Sequence, residues 1–152
     1  MSPRVRPAGH QDVQAIGAAV SELLVELAGT SPETRAMESA ALAVIDDPAA
    51  GAILVAEADG ALVGVLAASW QMAIHVPGRY ALIQDLWISP SWRGRGIGAG
   101  LLKALFDLVR HQKMTRVEVG LPWESFARFE ATETFYLSNG FQANGPRMKR
   151  LV

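Results

Sequence analysis

The sequence contains no cysteine. Disulfides, thiolate metal sites and a thiol nucleophile are therefore excluded. Histidine is scarce: His10, His75 and His111 are scattered, and their spacing gives no metal site. No basic start with an apolar core region opens the chain, and no apolar run approaches the length of a membrane span. The expectation is a cytoplasmic protein with no membrane partner. Repeats, linkers and low-complexity segments are also missing. Residues 1–152 are expected to form one domain, since this length can build a real core and half the residues are apolar.

Charge is nearly balanced overall but not along the chain. Residues 1–60 hold nine acids and three bases, whereas residues 79–152 hold six acids and eleven bases. This split suits an anionic ligand on the basic side and a cationic acceptor on the other; it also suits plain asymmetry of a solvated surface.

Arg4-Val5-Arg6 reads as a short first strand. Val13, Ile16, Val20, Leu23, Leu24 and Leu27 recur at helical spacing, with Asp12 before them and Gly29 after. Ser31-Pro32-Glu33 has the form of a second helix start, with Ser31 as N-cap. Asp46-Asp47-Pro48 stops that helix. Ala52–Ala58 and Ala61–Met72 are strand-like around the hairpin signal Asp59-Gly60. A turn around Pro77-Gly78 leads to a fourth strand, Ala81–Ile88, completing an antiparallel meander. Ile97, Leu101, Leu105 and Leu108 then share one helix face. Arg116–Leu121 is a fifth strand, parallel to the fourth through a right-handed crossover. Phe126–Ser138 reads as helix, with Asn139-Gly140 as its C-terminal signal. One or two final strands are expected in residues 141–152.

Between the fourth strand and the following helix lie Gly94, Gly96, Gly98 and Gly100, at alternate positions, with Arg93 and Arg95 among them. Glycines let backbone N–H groups converge, and a helix starting there adds its positive dipole end. The stretch reads as a phosphate or pyrophosphate cradle. A P-loop is excluded, because no Lys-Ser or Lys-Thr pair follows the glycines. Gly94-x-Gly96-x-x-Ala99 fits a relaxed dinucleotide-binding pattern. Against it, Glu118 falls inside the next strand and too little chain follows for a doubly wound domain.

Arg93-x-x-Gly96-x-Gly98 resembles the Gln/Arg-x-x-Gly-x-Gly/Ala segment of the GCN5-related N-acetyltransferase (GNAT) superfamily. Phe135-Tyr136-Leu137-Ser138-Asn139-Gly140-Phe141 looks like its Phe-Tyr-x-x-x-Gly-Phe segment, and Asp85–Pro90 is similar to its fourth strand. The resemblance covers residues 83–141. It implies an α/β fold with a mixed, mostly antiparallel central sheet, a splayed parallel strand pair and helices on both faces. It implies an acetyl-CoA-dependent N-acetyltransferase in which a primary amine attacks the thioester directly, in a ternary complex. A non-catalytic acyl-CoA-binding or partner-binding module on the same fold is the alternative.

The resemblance also distributes roles. Backbone groups of Arg93, Gly94, Arg95, Gly96, Ile97, Gly98 and Ala99 would hold the pyrophosphate of acetyl-CoA. Leu86, Trp87 and Ile88, on the fourth strand, would hold the pantetheine arm. Asp85 would deprotonate the amine, with Gln84 orienting a water, and Tyr136 would protonate the departing thiolate. Many members carry an Asn and an Ala shortly before the Tyr. Phe129 and Thr132 stand there instead, so cofactor contacts from that loop are not carried over. Glu33, Glu38, Trp70, His75, Tyr80, Trp123, Glu124 and Glu130 are candidates for lining the acceptor pocket. The expected partners are acetyl-CoA and an amine, with no metal and no nucleic acid, and the assembly is left open between a monomer and a homodimer.

Overall fold

Among the described residues, five strands form one sheet whose spatial order repeats their order in the chain: β1 (Arg4–Pro7), β2 (Gly51–Ala58), β3 (Ala61–Ala73), β4 (Gly78–Ile88) and β5 (Val117–Val119). The computed structural model describes residues 2–152. The first four strands pair antiparallel, and β4–β5 is the parallel pair. The chain divides into two compact units, one running to Glu118 and the other comprising Val119–Val152.

In the first unit the sheet lies between helices because its strands alternate. Val55, Val65 and Trp87 point to one face and pack with Ile16, Ala19 and Ala41 of α1 (Val13–Ala28) and α2 (Thr34–Ile45). The next residues along, Gly64 and Ile88, point to the other face and meet α3 (Ile97–His111). A Cβ at Gly64 would come within 3.0 Å of Ile97 Cγ2 and Leu101 Cδ1, so this glycine lets α3 lie close to the sheet. Leu101, Leu102 and Leu105 are fully buried and contribute roughly 1.5–3 kcal/mol each. Lys103, Asp107 and Arg110 stay exposed on the opposite side of the helix.

Asp59 and Gly60 make the expected hairpin turn, both at positive φ. Asp12 does something the periodicity did not suggest. Its carboxylate accepts Gly9 N–H at 2.8 Å and a two-pronged contact from Arg6, at 2.7 and 3.0 Å. It thereby ties β1 to the start of α1. The Arg6 guanidinium holds this buried carboxyl below the usual carboxylate range.

Several expected boundaries are corrected. Helix α2 starts at Thr34 with Glu33 as N-cap. The Ser31 hydroxyl is instead engaged with Ser21 Oγ at 2.9 Å and Pro32 O at 2.8 Å. Strand β4 begins at Gly78, and β5 keeps only Val117–Val119 of the six residues expected.

In the second unit α4 (Phe129–Ser138) begins three residues late, because residues 123–129 form successive i→i+3 turns. No strand forms in residues 141–152. Met148 and Leu151 remain exposed there, so no burial offsets the entropy of ordering that backbone.

Candidate functional site

Strand β4 ends in a single 3₁₀ turn, Pro90–Trp92, followed by Arg93 in extended conformation. Gly94 and Gly96 are both left-handed, at φ 74° and 82°, and Gly96 is the N-cap of α3. Trp92 N–H donates to Ser89 O, Arg93 N–H to Pro90 O, and Gly100 N–H to Gly96 O. The N–H groups of residues 94–99, between these, meet no backbone acceptor among the described residues. A Cβ at Gly94 or Gly96 would touch nothing within 4 Å, so the space over the loop is open. An anion placed there would find unsatisfied donors and the positive end of α3 together.

The two arginines of this loop divide their work. Arg93 grips Glu26 of α1 with both terminal nitrogens, at 3.2 and 2.9 Å, and its Nε donates to Ile88 O at 3.1 Å. Its side chain therefore fixes the loop to α1 and to the end of β4, and its N–H is the one in the expected run already bonded. Arg95 is the loop's other cation. Its guanidinium lies over the Trp92 ring at 4.8 Å and has no carboxylate partner among the described residues.

Backbone phase along β4 follows from one bond. Ser89 N–H donates to Val63 O of β3 at 2.9 Å. Antiparallel pairing alternates, so Trp87 also turns its N–H and C=O to β3, whereas Leu86 and Ile88 turn theirs the other way. Ala81 N–H donates to Arg116 O at 2.9 Å, and β5 is too short to reach the end of β4. The outward groups of Leu86, with Ile88 N–H, form a strand edge that β5 does not pair; Ile88 O is the one taken by Arg93. Trp87, expected beside these two, offers this edge nothing. Its indole is buried under α1, and Nε1 has no partner among the described residues.

Gln84 is a bulge. Asp85 pairs with Ala67 and Ile83 with Ala68, leaving Gln84 without a partner across β3. A bulge sends two successive side chains to one face, and both Gln84 and Asp85 line a cavity of about 210 Å³ beneath α1 and α2. Gln84 Nε2 and Gln71 Nε2 each donate to Ser69 Oγ at 2.9 Å. Burial pushes the Asp85 pKa above its ordinary value, which makes its carboxylate a stronger base.

A larger cavity, about 580 Å³, lies near the start of α1 among Arg6, Asp12 and Glu57. Arg6 pairs with both Asp12 and Glu57, and Glu22, which also lines it, is exposed. The bulge cavity holds a carboxyl that burial makes more basic, next in sequence to the Leu86 edge, and is the better candidate. None of the eight residues expected to line an acceptor pocket lines the bulge cavity. Ser69 and Met37, which do, gave no sequence signal beyond ordinary strand and helix positions. Glu26 gave none either.

Tyr136 belongs to the second unit. It is the buried centre of an aromatic trio, edge-on to Phe135 at 5.0 Å and to Phe141 at 5.2 Å. Phe141 N–H closes back on Tyr136 O at 3.1 Å. The Phe-Tyr…Gly-Phe spacing is thus also a packing motif. Burial raises the phenol above its ordinary pKa, so the hydroxyl stays protonated at neutral pH.

Comparison with known proteins gives a family and a fold. Residues 19–141 match the model of the Acetyltransferase (GNAT) family. No curated protein matches the sequence. A predicted acetyltransferase from Clostridium acetobutylicum, solved with acetyl-CoA, is similar with TM-score 0.79 and 15% identity, over 98% of this chain and 96% of that one. A ribosomal-protein-alanine N-acetyltransferase from Brucella melitensis biovar Abortus 2308 is similar with TM-score 0.78 and 16% identity, over 100% of both chains. A transcriptional regulator from Bacillus halodurans C-125 is similar with TM-score 0.82 and 17% identity, over 99% of both.

Proposed function

The chain belongs to the acetyltransferase (GNAT) family, and on that premise we propose that it is an acetyl-CoA-dependent N-acetyltransferase acting on a primary amine. The observation that carries this reading is the open run of N–H groups 94–99 at the start of α3, beside a β4 edge that β5 leaves unpaired. The residues present fit coenzyme A. Loop N–H groups and Arg95 suit the pyrophosphate, and Leu86 O and Ile88 N–H suit an amide-bearing arm that pairs like an added strand. When bound, acetyl-CoA supplies an activated acyl group.

The protein's own part is proton handling and positioning. An alkyl ammonium, with a pKa near ~10, must lose a proton before its nitrogen can attack. Asp85, held on the bulge with its basicity raised by burial, takes that proton directly or through a water oriented by Gln84 and Ser69. Leu86 N–H, next to Asp85, is the donor on this edge suited to a developing oxyanion. Tyr136 is the acid for the leaving thiolate. Its raised pKa makes full proton transfer to a thiolate, of pKa about 8.5, uphill. A hydrogen bond from the phenol is the form that help takes.

The test is thiol release from acetyl-CoA across a panel of amines, with acetylated product identified by mass. Amine-dependent release is expected. The aromatic trio around Tyr136 favours one second reading, a non-catalytic acyl-CoA-binding module in which Tyr136 is only core. Coenzyme A binding with no turnover on any amine would establish that reading instead.

A further inference from the structure

We propose that the acceptor is a small amine whose nitrogen sits on a compact apolar group, and that this group enters the cavity between α1, α2 and the sheet. The inference rests on the acetyl-transfer reading and adds the substrate class. The cavity has polar atoms at one end only, where Ser69, Gln84 and Asp85 meet on the bulge. That end adjoins the Leu86 edge, so a nitrogen at Asp85 lies on the side from which the thioester is presented. The remaining wall is apolar and includes Ile16, Val20, Met37, Val44, Ile53 and Ala67.

Size and chemistry select the occupant. A volume of about 210 Å³ is room for roughly seven waters, below the ~300–1,000 Å³ of a drug-sized site. A branched alkyl group or a single apolar ring matches this wall; an aminocyclitol or a long polyamine would set hydroxyls or further charges against it. Asp85 is the one carboxylate on the wall among the described residues. It can pair one ammonium, and a second positive charge pushed deeper would be buried without a partner. The apolar group and the single charge therefore belong to one molecule, with the amine at its end.

The experiment uses the full chain with acetyl-CoA and a homologous series from methylamine to pentylamine, with isoamylamine, benzylamine, ethanolamine and spermidine alongside. Each methylene that enters the cavity should raise kcat/KM up to about fourfold, the equivalent of ~0.8 kcal/mol, until the cavity is full. Spermidine and ethanolamine should be poor acceptors. Ala67→Leu, on the wall beside Asp85, should flatten the series. Met37→Ala should move its optimum to a longer chain and guards against a folding defect in the first variant. Both should keep the thermal shift given by coenzyme A. A flat series, or faster turnover of spermidine than of isoamylamine, overturns the proposal while acetyl transfer stands. Transfer to no amine despite a coenzyme A shift overturns both.

Discussion

Gly96 can be tested with a pair of variants that share their strain and differ in charge, Gly96→Gln and Gly96→Glu. Either side chain must adopt φ near 82° at the N-cap of α3. That costs about 1–2 kcal/mol, or roughly 2–8 °C in melting temperature for a chain of this size. No clash adds to it, because a Cβ there meets nothing within 4 Å. The glutamate alone sets a negative charge beside the proposed pyrophosphate. At about 5 Å and an effective dielectric near 20, one pair of like charges costs roughly 3 kcal/mol, about 100-fold in affinity. Coenzyme A at a hundred times its dissociation constant stabilises the folded state by about 2.7 kcal/mol. At the same concentration a hundredfold weaker variant retains about 0.4 kcal/mol of this. Melting curves with and without coenzyme A, with titration calorimetry at low salt, should therefore show similar free proteins and a much smaller ligand shift for Gly96→Glu. Added salt should narrow the gap. Equal coenzyme A affinities in the two variants would refute the phosphate site and leave the glycines as a turn.

Asp85→Asn should lower turnover and raise stability together. The folded pKa of Asp85 lies above the unfolded 3.8, so stability falls as pH rises from 3.8 through the folded value. The variant escapes that loss, which at higher pH amounts to about 1.4 kcal/mol for each pH unit separating the folded and unfolded pKa. Its rate deficit should shrink as pH approaches the pKa of the amine; a melting temperature no higher than wild type at pH 7, with a normal rate, would remove Asp85 from the mechanism. Tyr136→Phe should reduce kcat about 10–100-fold, at or below the low end for general acids, with coenzyme A affinity unchanged; normal turnover in a well-folded variant would leave Tyr136 as core only. Asp12→Ala leaves Arg6 without its nearest counter-charge and should cost about 3 kcal/mol, read as a lower urea midpoint at neutral pH. The native folded pKa of Asp12 is depressed. Its contribution is therefore present above the unfolded 3.8 and is lost as pH falls through the folded value, so the two proteins should converge in acid.

Local chemistry settled much of the architecture. The Asp59-Gly60 turn, the α3 periodicity and the β-branched runs each need only neighbours a few residues away, and they define the meander and the strand–loop–helix. The glycine loop was legible for the same reason, since left-handed φ at Gly94 and Gly96 is a property of the residues themselves. Strand pairing decided the rest. The bulge at Gln84 depends on register against Ala67 and Ala68, and no alternation in the sequence reveals one extra residue. That slip carries Gln84 and Asp85 onto the same face, where both line an apolar cavity. Arg93 illustrates the point from the other side: a motif arginine in sequence, it is bound to Glu26 in the fold, across a separation of 67 residues. One or two strands are expected in residues 141–152, but strand formation needs a partner that buries their apolar side chains, and Met148 and Leu151 remain exposed. Residue identity fixes what each segment can do locally; which carboxylate is buried, which arginine remains outside an ion pair and which strand edge stays unpaired are set by contacts between segments far apart in the chain.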